Sequence, residues 1–130
     1  MRRRIARLLF VAVLLPGCSG AGEETVEVAL EHSRFVLERA RFEVGDTVTF
    51  VIRNTDPIDH EFILGDEAVQ QHHERGTEKR HGDVPGEVTV PAGGERTSTF
   101  TFTRAGTLIL GCHLPGHYDY GMRTEVRVTT

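Results

Sequence analysis

The 130-residue sequence has no tryptophan, only two cysteines, and only two methionines, one of them Met1. It has no run of about 18 consecutive apolar residues, so no segment is long enough to cross a bilayer as a helix. Positive charge is also scarce. Lys and Arg number 15 against 19 Asp and Glu, and four of those 15 (Arg2, Arg3, Arg4 and Arg7) crowd the N-terminus. Without these four, 11 basic residues face 19 acidic ones, a net charge near −8 with histidine neutral. A surface that acidic repels phosphate backbones, which excludes non-specific nucleic-acid binding. Apolar residues make up 38% of the chain, and part of that share lies in the N-terminal stretch, so the core must be compact. At this length the chain holds one small domain.

The basic cluster precedes a short apolar run, Leu8 to Leu15, and the small residue Gly17. That order predicts an export signal over residues 1–17. Leu15-Pro16-Gly17-Cys18 resembles a bacterial lipobox, in which the cysteine is lipidated and becomes the new N-terminus. The resemblance implies a lipid anchor on Cys18, a small polar tether over 18–24 and a domain over 25–130. The protein is then expected on the periplasmic side of a bacterial membrane or at the cell surface. In such a compartment unpaired thiols are a liability, yet Cys112 is left with no intrachain disulfide partner. Metal ligation gives it a reason to be there.

Cys112 opens the segment Cys112-His113-Leu114-Pro115-Gly116-His117-Tyr118-Asp119-Tyr120-Gly121-Met122. Reduced to its donors this is C-x4-H-x4-M. A Cys thiolate, a neutral imidazole and a weak Met sulfur are donors of a type 1 copper site, in which soft sulfur and imidazole select copper and a long axial Met keeps the geometry near trigonal. Pro115-Gly116 supplies the turn between the first two donors. The site needs one more equatorial imidazole, and His60 is the candidate.

The rest of the chain alternates in the manner of strands. Val26, Val28 and Leu30 mark a first half-buried strand, and Arg34 to Leu37 a short second piece after a break at His32-Ser33. Val48, Phe50 and Ile52 face one side of a strand that follows the Gly45-Asp46 turn and ends at Asn54-Thr55-Asp56-Pro57. Glu61 to Leu64 form the next, with His60 at its start. Val88 and Val90, then Ser98, Phe100 and Phe102 set against Thr97, Thr99, Thr101 and Thr103, then Thr107 to Cys112 and finally Thr124 to Thr129 complete the set. Asp66 to Arg75 predicts a short helix capped by Asp66. With only Ala68 and Val69 apolar, residues 66–83 are expected to be an excursion outside the core. The fold expected is an all-β sandwich of about seven to eight strands with one helical or loop insert.

The combined pattern resembles the cupredoxin family, the blue copper proteins. It is carried by Val44-Gly45-Asp46-Thr47-Val48-Thr49-Phe50, Asn54-Thr55-Asp56, His60-Glu61-Phe62, Ala105-Gly106-Thr107, and Cys112, His117 and Met122. The resemblance implies a Greek-key sandwich with one copper bound at one end by His60, Cys112, His117 and Met122. Several blue copper proteins have Asn where Glu61 stands; its backbone N–H still suits the sulfur, while its carboxylate favours the oxidised metal. The loop also resembles the last copper motif of multicopper oxidases, H-C-H-x3-H-x4-M, with Gly111 in place of the first His. No H-x-H pair occurs, and the seven His are too few for an oxygen-reducing cluster once two are assigned. That excludes an oxidase acting alone.

The expected function is therefore not enzymatic. The chain carries single electrons through Cu(II)/Cu(I) to or from a redox partner protein, as a membrane-tethered monomer; the alternative is copper binding, delivery or resistance, with a copper donor or acceptor as partner. His117, on the loop, is expected to present its ring edge to that partner, with Leu114 and Pro115 as an apolar patch. His113 alternates with Cys112 and is expected to point away from copper. His72, His73 and His81 are candidates for a second, weaker metal site, against the alternative that they are solvated. His32 is expected to be structural or exposed, and Tyr118 and Tyr120 to pack.

Overall fold

The computed structural model describes residues 24–76 and 84–130. The expected signal over 1–17 and the lipid site at Cys18 lie outside the described residues. Glu24, placed by the sequence at the end of the tether, is already the first residue of a strand.

Among the described residues nine strands and one helix follow in order: β1 (Glu24–Glu31), β2 (Arg34–Leu37), β3 (Arg41–Glu43), β4 (Thr47–Asn54), β5 (His60–Gly65), α1 (Glu67–Arg75), β6 (Glu87–Val90), β7 (Glu95–Thr101), β8 (Gly106–Gly111) and β9 (Arg123–Thr129). The count corrects the expected seven to eight. Residues 42 to 54 are divided by the Gly45-Asp46 turn, where the Asp46 N–H donates to the Glu43 carbonyl at 3.1 Å and the Glu43 N–H to Asp46 Oδ2 at 2.9 Å. The short piece before the turn pairs with β9 instead of continuing into β4.

The strands form two sheets ordered β2-β1-β4-β7 and β3-β9-β8-β5-β6. The pairs β1–β4 and β3–β9 run parallel and the others antiparallel. The chain passes repeatedly between the sheets, as a Greek-key sandwich requires. The alternation read from sequence fixes which residues line the interior: Val26, Val28 and Leu30 on β1, Val48, Phe50 and Ile52 on β4, and Phe62 and Leu64 on β5 are all buried. Phe50 meets Phe62 across the sandwich at a centroid distance of 5.2 Å, and Phe42 stacks on Phe102 at 4.5 Å. On the opposite, exposed face of β4 and β7 the threonines pair as a ladder, Thr47 with Thr101 at 2.9 Å and Thr49 with Thr99 at 3.0 Å.

Helix α1 begins where expected, with Asp66 Oδ1 accepting the Val69 N–H at 3.1 Å. It is not outside the core, and that expectation is corrected. Gln70 is 2% exposed, and its amide nitrogen donates to the carbonyls of Ile63 (3.2 Å) and Ile109 (2.9 Å), on neighbouring strands β5 and β8. The helix docks through a buried amide rather than an apolar stripe, so a hydrophobicity count does not detect it. With α1 on the outer face and the sandwich on the inner, every residue of β5 is buried.

Candidate metal centre

Three elements deliver the donors. His60 is the first residue of β5, Cys112 follows the last residue of β8, and His117 sits in the loop between β8 and β9. The His60 and His117 Nδ1 atoms are 3.2 Å apart, and Cys112 Sγ lies 3.3 Å from His117 Nδ1. One donor atom from each residue lies within 4.8 Å of the others, and this is the only group of three or more His, Cys, Asp or Glu so arranged among the described residues. His60 and Cys112 are 0% exposed, whereas His117 is partly exposed.

The loop holds its shape through its own hydrogen bonds. The His117 N–H donates to the Leu114 carbonyl at 3.0 Å, the Met122 N–H to the His117 carbonyl at 2.9 Å, and the Cys112 N–H to the Met122 carbonyl at 3.1 Å. Gly116 makes the turn at φ 83°, a left-handed conformation that glycine adopts most readily. Met122 is thereby held next to Cys112 in the loop's closing bond and is buried in the core cluster with it. Phe62 is fully buried and Leu114 packs against the same cluster, which keeps water from the donors.

Around Cys112 the hydrogen bonds are directed at the sulfur. The Glu61 N–H donates to Sγ at 3.3 Å. Burial pushes the thiol up to about 11, against the opposing pull of the Glu61 and Leu114 N–H groups. The metal-free protein therefore keeps a proton on sulfur that a metal must displace. Burial, helped by the neighbouring His60, lowers the pKa of His117 and leaves the neutral imidazole that a metal needs. At Asp56 burial alone would raise the carboxyl pKa, but bonds from the Ser33 N–H, the His60 ring and the His32 N–H outweigh it and hold it below the usual range.

His113 points away from the donors, as its alternation with Cys112 implies. Its Nε2 meets Gln70 Oε1 at 2.8 Å, its ring stacks on Tyr118 at 4.5 Å, and its N–H donates to Glu61 Oε2 at 3.1 Å. Tyr118 therefore packs, as expected, but Tyr120 is 92% exposed and does not. Gly111 makes room for this arrangement: a Cβ there would lie 2.6 Å from Gln70 Oε1 and 2.7 Å from the Tyr118 ring. His32 is exposed, at the turn between β1 and β2. His72 and His73 lie edge to face at 5.6 Å, and His73 Nε2 contacts Glu87 Oε1 at 3.2 Å. They form no cluster of three donors among the described residues, and His81 lies outside those residues. Sequence reasoning missed two contributors: Gln70, hidden in a polar helix, and Asp56, which reads as part of a strand-ending turn.

A cysteine sulfur, two imidazoles and a methionine buried in the same core cluster as the cysteine fit copper, and the closely spaced donors have the arrangement of a type 1 site. Comparisons with known proteins agree. Residues 23–129 match the copper binding proteins of the plastocyanin/azurin family. A copper-resistant cuproprotein, CopI, of Rubrivivax gelatinosus is 35% identical over 118 residues, covering 87% of this chain and 71% of that protein. Among solved structures, auracyanin B superposes with a TM-score of 0.67 at 22% identity, covering 82% of this chain and 89% of the other. The auracyanin of the photosynthetic bacterium Roseiflexus castenholzii superposes with a TM-score of 0.64 at 23% identity, covering 84% and 100%. The chain belongs to the plastocyanin/azurin family of copper binding proteins, with a cupredoxin fold.

Proposed function

We infer that this chain is an exported type 1 copper protein that carries single electrons, in which His60, Cys112 and His117 would hold the metal strongly and Met122 weakly. The observation that supports this reading is that the three strong donors already lie within 4.8 Å of one another, held by strands and a self-bonded loop. A site so assembled has little left to rearrange when the metal's charge changes. Copper, when bound, supplies a one-electron Cu(II)/Cu(I) couple. Cys112 would hold the metal as the thiolate and His60 and His117 through ring nitrogens, among buried surroundings that exclude water. The partly exposed His117 ring is the contact for a redox partner, with exposed Pro115 beside it in the loop. The protein acts without catalysing a reaction of its own, as a monomer tethered by lipid at Cys18 on the outer side of a bacterial membrane.

A second reading, copper resistance through binding or delivery, is favoured by the similarity to the copper-resistant cuproprotein CopI of Rubrivivax gelatinosus. Competition with a chelator separates the two. An electron carrier retains its copper, whereas a delivery protein hands it over within minutes. The copper site itself is tested by adding Cu(II) to the native protein and to Cys112→Ser. An intense visible thiolate-to-copper band is expected in the first and not in the second. An equally intense band in Cys112→Ser would refute the ligand assignment.

A further inference from the structure

His60 turns Nδ1 toward the donor cluster and its other nitrogen toward a carboxylate: Nε2 lies 2.8 Å from Asp56 Oδ2. The ring is 0% exposed, so no water competes for either nitrogen. A ring nitrogen facing a carboxylate acts as the donor, so the proton belongs on Nε2 and the lone pair on Nδ1. Asp56 is itself held from several directions. Its Oδ1 accepts the His32 N–H and its Oδ2 the Ser33 N–H, both at 2.7 Å, and its own N–H donates to Asn54 Oδ1 at 3.0 Å. His32 and Ser33 carry the turn between β1 and β2 at φ 52° and 54°, an uncommon left-handed pair that aims two successive N–H groups at one carboxylate. The Asp56 side chain is only 12% exposed.

We propose that Asp56 is a positioning residue for the copper site. It fixes His60 as the Nε2–H tautomer and places a negative charge one imidazole away from the metal, which biases the couple toward Cu(II). The inference rests on the type 1 copper reading. A hydrogen-bonded carboxylate makes an imidazole ligand more basic, and its field favours the metal state of higher charge. Because the same carboxylate closes the β1–β2 turn, the geometry of that hairpin tip is tied to the orientation of the ligand.

The test is Asp56→Asn, which preserves side-chain size and removes the charge. Loss of a ligand's outer partner typically changes metal affinity by about tenfold or more. A tenfold fall in the Cu(II):Cu(I) affinity ratio is expected, equivalent to a rise of about 59 mV in reduction potential for one electron. A variant with lowered thermal stability but an unmoved potential overturns the proposal, since that is what a merely structural turn residue would give. A second measurement does not depend on a variant folding. Nitrogen-15 NMR of the native, metal-free protein, at a pH where the ring is neutral, is expected to show His60 protonated at Nε2 and bare at Nδ1. A proton on Nδ1 overturns the proposal. Failure of the copper reading is seen separately, as the absence of a visible charge-transfer band when Cu(II) is added to the native protein.

Discussion

The backbone N–H of Glu61 donates to Cys112 Sγ at 3.3 Å, while the Glu61 carboxylate accepts the N–H of the next residue, His113, at 3.1 Å. Glu61 therefore grips the end of β8 on both sides of the sulfur, and at 2% exposure it does so out of reach of solvent. An acidic group this close to the sulfur bears on the redox couple. Glu61→Gln retains an acceptor oxygen for His113 and removes the acid. The reduction potential is expected to rise, by about 59 mV for each tenfold loss in the Cu(II):Cu(I) affinity ratio. Voltammetry of the copper-loaded variant checks this, and a potential that stays or falls would count against an electrostatic role for Glu61.

The buried thiol makes the metal-free protein sensitive to alkali. An unfolded cysteine releases its proton around 9.0, whereas folded Cys112 holds it to about 11. Between those values the unfolded chain binds fewer protons, so stability falls as pH rises through the window and is fully retained below it. The loss expected is about 3 kcal/mol, at 1.36 kcal/mol per pH unit. Urea unfolding of the metal-free protein across the window measures it. Cys112→Ser should remove that part of the slope.

Gln70 joins helix α1 to the sheet behind the copper loop. Gln70→Ala leaves the Ile63 and Ile109 carbonyls and His113 Nε2 without their amide partner. A cost of about 3 kcal/mol in global stability is expected from the hydrogen bonds lost. Chemical denaturation of the metal-free protein reads the loss directly.

Gly111 stands where a β-carbon has no space. Gly111→Ala would press on Gln70 Oε1 and the Tyr118 ring, and overpacking of that kind costs about 1–3 kcal/mol. Because one of the two clashes is with Gln70, combining Gly111→Ala with Gln70→Ala should cost less than the sum of the single changes. Strict additivity in a double-mutant cycle would contradict the packing described here.

The strands were legible because alternation is a local signal: Val48, Phe50 and Ile52 can be read inward from their spacing alone. The donor loop was legible because Cys112, His117 and Met122 are rare residue types lying close together in the chain. His60 was found from chemical need and its place at a strand start. Gln70 and the anchoring of Asp56 were not legible, because they depend on partners distant in sequence; the contact of Asp56 with His60 spans only four residues, but no residue type marks it. Gln70 meets Ile109, 39 residues away, and Asp56 meets the tip of a hairpin 23 to 24 residues before it. Nothing about an amide in a polar helix or an aspartate before a proline marks those contacts. The ninth strand was missed for a related reason: β3 is defined by its pairing with β9, not by its own three residues.

The unequal exposure of the three strong donors gives the site a direction. His60 and Cys112 are sealed, and only His117 opens to solvent. Of the three, His117 is the donor nearest solvent. The two sealed donors lie at the start of β5 and just past the end of β8, so the site has an inner side set by the sheet and an outer side set by the loop.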